Sequence, residues 1–326
     1  MPTKAEIKKG NGIEDLFRGF AAGKPEETRK IAVDESLFGS LIEQYAGFLD
    51  LEIPVEEEEA AEEDRVFKLT HDVKQILDPD AIYLFLQTIT GYENHENYGF
   101  YTGYFISKLM QNSYGAGYND FTLNTISPIN VAGIGSFLKG RKEDPIRLTV
   151  DSDVGYGCGM NSKYLVACVK GSAGMDLGAS ADRCVFDVRG NTGDYCGYGA
   201  VKSVFNILGD VGLQCGKEAE ESEFNIKGNV EGSIGHEAKN SILRLRGSIG
   251  ASCGWYAENC IFDIESGPDQ EWAWFRDSNT CTLKTSNYDT LQKLLKRVTM
   301  RNKIIYVHKD GREETFKEFG EESELR

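Results

Sequence analysis

A glycine pattern that returns every 19 residues constrains this chain more than any other feature. Gly171, Gly190, Gly209, Gly228 and Gly247 are spaced by 19, with Ser152 and Ser266 in phase at the two ends. Three residues on stand Gly155, Gly174, Gly193, Gly212 and Gly250, a row that Glu231 alone breaks. Seven on come Gly159, Gly178, Gly197, Gly216, Gly235 and Gly254 without exception. Ten on the residue is Ser162, Ala181, Ala200, Ala219, Ala238 or Ala257. A repeat of this length is one coil of a solenoid, which cannot bury its apolar face alone and does so by stacking on its neighbours.

The apolar positions decide between helix and strand. Cys184-Val185-Phe186-Asp187-Val188-Arg189, Ser222-Glu223-Phe224-Asn225-Ile226-Lys227 and Ser241-Ile242-Leu243-Arg244-Leu245-Arg246 alternate with period two, which predicts strands. One inner ladder stacks Phe186, Phe205, Phe224, Leu243 and Phe262. A second stacks Val169, Val188, Ile207, Ile226, Leu245 and Ile264. The glycines fit corners, where the backbone takes positive φ or packs closely. Gly133, Gly140, Ile146, Leu148 and Val150 keep the phase backwards, as do Gly117, Ile129 and Val131 one coil earlier. The expectation is about eight coils from 114 to 266, a rod of about 40 Å at ~4.8 Å per strand.

These glycines, and the stretch Val185-Phe-Asp-Val-Arg-Gly-Asn-Thr-Gly-Asp-Tyr-Cys-Gly-Tyr-Gly-Ala200, resemble the glycine-rich β-helix domain of the glutamate synthase large subunit. The same domain type forms a subunit of formylmethanofuran dehydrogenase. The resemblance covers the central region only, and implies a right-handed β-helix that stands as a structural module beside catalytic machinery. It offers no catalytic residue to carry over. The aliphatic–Gly hexads of hexapeptide acyltransferases and the regular Asp of calcium-binding nonapeptide repeats are absent.

Composition narrows the function classes. The net charge of −16 argues against non-specific nucleic-acid binding, which depends on Lys and Arg at phosphates. No apolar leader follows the lysine-rich Met1–Gly10, and no stretch is long and apolar enough to span a membrane, so the expected location is the cytosol. Cys158, Cys196, Cys215 and Cys253 share a slot with Leu177 and Ile234, which makes it an apolar core slot. Cys184 and Cys260 share another with Ser203, Ser222 and Ser241, which calls for a small side chain. No C-x-x-C or paired histidine has metal-ligand spacing, and no P-loop, G-x-S-x-G or H-E-x-x-H occurs. Neither a metal nor a cofactor is expected.

Three regions follow: a mainly helical 1–113 with an acidic linker at 55–64, the solenoid 114–266, and a C-terminal α/β cap 267–326, an α+β fold in all. Ile13, Leu16 and Phe17 have helical spacing, as do Leu37, Leu41, Ile42, Tyr45 and Phe48. Val66, Leu69, Val73, Ile76 and Leu77 predict a further helix that Pro79 stops or follows, and residues 81–90 should be buried. After 266 the period ends: Trp272, Trp274 and Phe275 form an aromatic cluster, 287–300 a helix capped by Asn287 or Asp289, and Lys303–His308 a strand turning at Asp310-Gly311. The basic group Lys293, Lys296, Arg297, Arg301 and Lys303 reads as a solvated helix face.

Two places carry functional expectations. The aromatic segment 92–121 reads either as a cap over the end of the solenoid or as a ligand pocket, with Glu93, His95, Glu96 and Asp120 as candidate catalytic groups. On the solenoid, Val166, Val185, Val204, Ile242 and Ile261 point outward with Glu223 between them, an apolar ridge that needs cover from the chain itself, a partner subunit or a second protomer. The leading expectation is a non-catalytic scaffold or complex subunit that presents this rigid surface to a protein partner or to a copy of itself. The alternatives are an enzyme at the junction of 92–121 with the solenoid, and an acidic regulator that mimics nucleic acid. The mixed row of Lys170, Arg189, Lys227 and Arg246 opposes the last.

Overall fold

A computed structural model describes residues 35–53, 62–125, 131–266, 275, 277–298 and 301–317. The first described elements are helices α1 (Glu35–Leu49), α2 (Glu62–Leu69), α3 (Pro79–Thr88) and α4 (Tyr98–Gly115). Strands β1 (Asp120–Leu123), β2 (Ile146–Val150), β3 (Leu165–Val169), β4 (Val185–Val188) and β5 (Val204–Ile207) follow. The chain then alternates between two sheets through β6 (Val211–Leu213), β7 (Glu223–Ile226), β8 (Val230–Ile234), β9 (Ile242–Leu245), β10 (Ile249–Cys253) and β11 (Ile261–Ile264). It continues with β12 (Thr282–Thr285), α5 (Tyr288–Arg297), β13 (Lys303–Val307) and β14 (Glu313–Lys317).

The long sheet has the order β1-β2-β3-β4-β5-β7-β9-β11-β12-β13-β14, and the short one β6-β8-β10. All pairs are parallel except β13 with β14. Single bridges from Lys163 through Asp182, Val201, Glu220, Lys239 and Glu258 to Asn279 form a third column. The fold is a β-solenoid of about eight turns with helices before it, in an α+β arrangement.

Alternation places the core. Phe186, Phe205, Phe224, Leu243 and Phe262 lie inside the long sheet at 0% exposure, and Leu283 and Ile304 continue their ladder. The rings of Phe205 and Phe224 stack 4.8 Å apart at an interplanar angle of 2°. Burying each such side chain contributes roughly 1.5–3 kcal/mol. Gly178 shows why glycine recurs beneath these rings. Its φ is +62°, and a Cβ there would lie 2.7 Å from both Phe186 and Phe205.

The slot of Ser203, Ser222 and Ser241 does more than require a small residue. Ser222 Oγ donates to the carbonyls of Ala200 (3.1 Å) and Glu220 (2.9 Å), and accepts from the Ser203 N–H (3.1 Å). At the next corner Asp153, Ser172, Asn191, Asp210 and Asn229 each accept the N–H 19 residues on, at 2.7–3.1 Å. Every coil is thus tied to the next by side chains as well as by backbone.

Several expected boundaries move. The phase of Gly133 and Gly140 does not hold. Gly159 bonds to the carbonyl of Ile134 (2.9 Å) as Gly178 bonds to Cys158 (2.8 Å), so Gly135, at φ +75°, holds the glycine place. The cause is a tight turn between Arg141 and Asp144: Lys139 bridges Lys163, 24 residues on, whereas Ile146 pairs with Leu165, 19 on. The strand before β2 is Asp120–Leu123, not a segment at Val131, and Ile129 lies outside the described residues.

Nor does the solenoid end at 266. Ile261 pairs with Thr282 and Thr282 with Lys303, so two coils of 21 residues continue it. The expected glycine is missing because Phe275 takes its place at φ +52°, its ring 4.8 Å from Phe262. The next rung carries the smaller Leu283, which leaves room for that ring. Cys281 holds the small-residue slot. The helix α5 is as expected, with Asn287 Oδ1 accepting from the Thr290 N–H (3.0 Å) and Leu291, Leu294, Leu295 and Val298 buried. The β13–β14 hairpin also stands, with its turn at Asp310-Gly311.

Among the helices, α2 stops at Leu69 and gives way to a 3-10 turn and extended chain, so Ile76 is 58% exposed rather than on a helix face. Pro79 begins α3, capped by Asp78 Oδ1 on the Ala81 N–H (2.7 Å). Glu62, Glu63 and Asp64 form the first turn of α2 rather than linker, where the helix dipole favours acids. The rest of the acidic run, Ile13, Leu16, Phe17, Trp272 and Trp274 lie outside the described residues.

Candidate functional site: the outer face of the long sheet

The aromatic segment becomes the buried helix α4. Tyr98, Tyr101, Tyr104, Phe105 and Tyr114 are all at 6% exposure or less. Phe105 meets Tyr45 of α1 at 5.2 Å between ring centres, and Phe48 meets Tyr101 at 5.4 Å. Gly103 lets α4 lie directly on the backbone of 132–134, and Ser107 Oγ donates to Gly133 O (3.0 Å) and accepts from the Gly135 N–H (2.8 Å). The rings fill the space around the first coils.

The candidate acid–base groups sit at the margin of this packing. His95 lies in the turn before α4, its Nε2 3.2 Å from Asp50 Oδ1 and its Nδ1 accepting from the Asn97 N–H (3.2 Å). Glu93 is half-buried and Glu96 exposed in the same turn. Asp120 is exposed on β1 opposite Arg147.

The outward row is in register as expected. Val166, Val185, Val204, Glu223, Ile242 and Ile261 follow one another as Cα partners across β3, β4, β5, β7, β9 and β11, and all are half-buried. Beside it runs a second row that sequence reading missed. Asn206 Nδ2 donates to Asp187 Oδ1 (2.6 Å), Asn225 Nδ2 to Asn206 Oδ1 (2.8 Å), and Arg244 Nη1 to Asn225 Oδ1 (2.9 Å). Arg244 also pairs with Glu223 (2.5 Å). Partial burial pushes the Asp187 carboxyl above its ordinary range, against the Asn206 hydrogen bond that lowers it. The period-two rule places these residues outward; their mutual bonds follow only from the parallel register.

Two further features escaped the sequence. Tyr156 donates its hydroxyl to Glu63 of α2 and also hydrogen-bonds to Asp176. Burial and the nearby Glu63 carboxylate raise the Asp176 pKa to about 6, although the Tyr156 bond opposes them. No motif announces this group, because Glu63 and Asp176 stand 113 positions apart. An open groove of about 730 Å³ crosses the short sheet, lined in part by Asn191, Asp194, Asp210, Asn229 and Glu231. The first four of these already spend an oxygen on the next coil.

All eight cysteines are free thiols, seven of them buried, and burial pushes the Cys158 thiol up to about 12. Among the described residues no three His, Cys, Asp or Glu side chains are arranged to hold a metal ion. No described helix is long and apolar enough to cross a membrane. Comparison with protein families, with curated proteins and with solved structures finds no match to this chain.

Proposed function

We propose that this protein is a non-catalytic structural subunit whose solenoid presents the outer face of the long sheet to a protein. The observation that carries this reading is the in-register apolar row from Val166 to Ile261, flanked by hydrogen-bonded amides and charges. A rigid solenoid holds such a row straight over many coils, which suits docking more than chemistry. The packed aromatic helix α4 supports it, since rings fill the segment that an enzyme would keep open. The resemblance to the glutamate synthase glycine-repeat domain, a module beside catalytic machinery, points the same way. The cytosol, where thiols stay reduced, suits its eight free cysteines.

The test is native mass, for the purified protein and in extract, of the wild type and of Val185→Glu with Val204→Glu. The wild type should run as part of an assembly, and the variant as a smaller species with an unchanged circular-dichroism spectrum. A wild type that is monomeric in both settings would overturn the reading.

A further inference from the structure

The charges on this face are arranged so that the face fits a copy of itself. Number the strands outward from the gap between β5 and β7. β5 and β7 are innermost, then β4 and β9, then β3 and β11. A two-fold axis lying between two stacked faces, parallel to the strands and over that gap, exchanges the members of each pair. It keeps position along the strand, so the apolar row meets the apolar row and the polar row the polar row.

Most of the resulting neighbours are complementary. Val185 meets Ile242, and Val166 meets Ile261. In the polar row Asp187 meets Arg244 and Asn206 meets Asn225, whose amides can exchange hydrogen bonds. Within its own chain Asp187 is answered by the amide of Asn206, and the cation three strands along from it belongs to Glu223 and Asn225. A second copy would bring Arg244 opposite Asp187 twice, once on each side of the axis. At one margin of the strands Lys202 meets Glu221, two residues that hold the same corner place in successive coils, at φ +51° and +49°, and that also pair with each other within the chain at 3.3 Å. At the other margin Lys170, which pairs with Asp151 at 2.6 Å in its own chain, meets Glu265, which pairs there with Arg246 at 3.7 Å. Val204 meets Glu223, and Arg189 meets Arg246, which Asp263 already holds at 2.8 Å.

The other two-fold that stacks this face on itself runs along the solenoid. It sets each coil against the same coil with the strands reversed: placed over the apolar row it sets Glu223 on Glu223, and placed between the two rows it sets Val185 on Asp187 and Ile242 on Arg244. The first sets like charges together and the second sets two charged positions of each chain on hydrocarbon, each of which is costly. In the antiparallel arrangement Glu223 faces Val204 and keeps its own Arg244 at 2.5 Å, so charge favours that arrangement.

We propose that two copies of this chain associate through the outer face of the long sheet, solenoids antiparallel, about a two-fold axis parallel to the strands between β5 and β7. This rests on the reading of that face as a docking surface and names its occupant as a second copy. Such an interface is isologous, with every contact made twice.

Mixing charge-reversed variants tests it. The purified wild type should sediment as a dimer at about 50 μM, and Asp187→Arg or Arg244→Asp should each weaken it at least ~10-fold, since like charges then meet twice. An equimolar mixture of the two variants should recover a heterodimer, because both contacts again join opposite charges; native mass spectrometry with one chain tagged reads this out. Lys202→Glu mixed with Glu221→Lys repeats the test at exposed positions, should either first variant fail to fold. A monomeric purified wild type overturns the proposal, as does a mixture of folded variants that forms no heterodimer. A purified monomer that still runs large in extract would leave the docking reading intact with a different protein as occupant.

Discussion

Glu218, Glu237 and Tyr256 hold φ between +55° and +58°, in the place that Gly199 occupies in its own coil. Tyr164, Arg183, Lys202, Glu221, Asn240 and Asn259 hold φ between +49° and +56° at another corner. A left-handed conformation costs a residue with a side chain roughly 1–2 kcal/mol, so these corners are held by the coils above and below rather than by local preference. Glycine recurs where a ring demands it, as at Gly178, or where the neighbouring coil's backbone passes close, as at Gly228. Asp176, at φ +58°, adds an electrostatic cost. Its pKa is about 6 in the folded protein against 3.8 without the fold, so the folded state binds the proton more tightly. Its contribution to stability is therefore greatest below pH 3.8 and is lost as the pH rises through 6. Asp176→Asn should raise the melting temperature at pH 7 and lose that advantage near pH 4. Thermal melts across this range check it, and equal gains at both values would mean that the carboxyl is not the cause.

At the scale of the element, the small-residue slot is the informative case. Ser203, Ser222, Ser241, Cys184 and Cys260 read in sequence as small side chains and nothing more, and Cys281 joins them only in the structure. The coil shows that their hydroxyls and thiols bond backbone groups of two neighbouring coils. Ser222→Ala should therefore destabilise by about 1–3 kcal/mol through unpaired buried backbone groups, and Ser222→Cys by less. Urea denaturation of the two variants measures this; an alanine variant as stable as the wild type would assign the slot to size alone. The helices teach the complementary lesson. Apolar spacing from Val66 to Leu77 looked like one helix, but Leu69 is its last residue and Pro79 begins the next. Extended chain can place Val73 against the core as well as a helix can.

For the whole molecule, the core runs without interruption from Phe38 in α1 to Ile304 in β13. Each strand of the long sheet depends on the next for its backbone bonds, so the ends need cover. At the end nearest the C-terminus that cover is β12, α5 and the β13–β14 hairpin. Truncation after Ser266 should leave Phe262 and Ile264 beside an open edge, and the shortened protein should aggregate where the full chain stays dispersed. Light scattering at equal concentration checks this. A dispersed fragment with the full chain's melting temperature would show that the last two coils are not a required cap.

The solenoid, its 19-residue pitch and the inward ladders were written in the sequence, because a stack of like coils imposes the same demand at the same place on every turn. Repetition turns packing into a pattern that a single chain displays. The outward row from Val166 to Ile261 was legible for the same reason. What the tertiary structure alone decided lies where coils differ from one another. The five-residue turn after Gly140, the 21-residue coils after Ser266 and Phe275 in a glycine's place all break the period without breaking the stack, since a corner can lengthen while its strands stay paired. The group of Glu63, Tyr156 and Asp176 depends on distances between elements. No local spacing in the sequence encodes it.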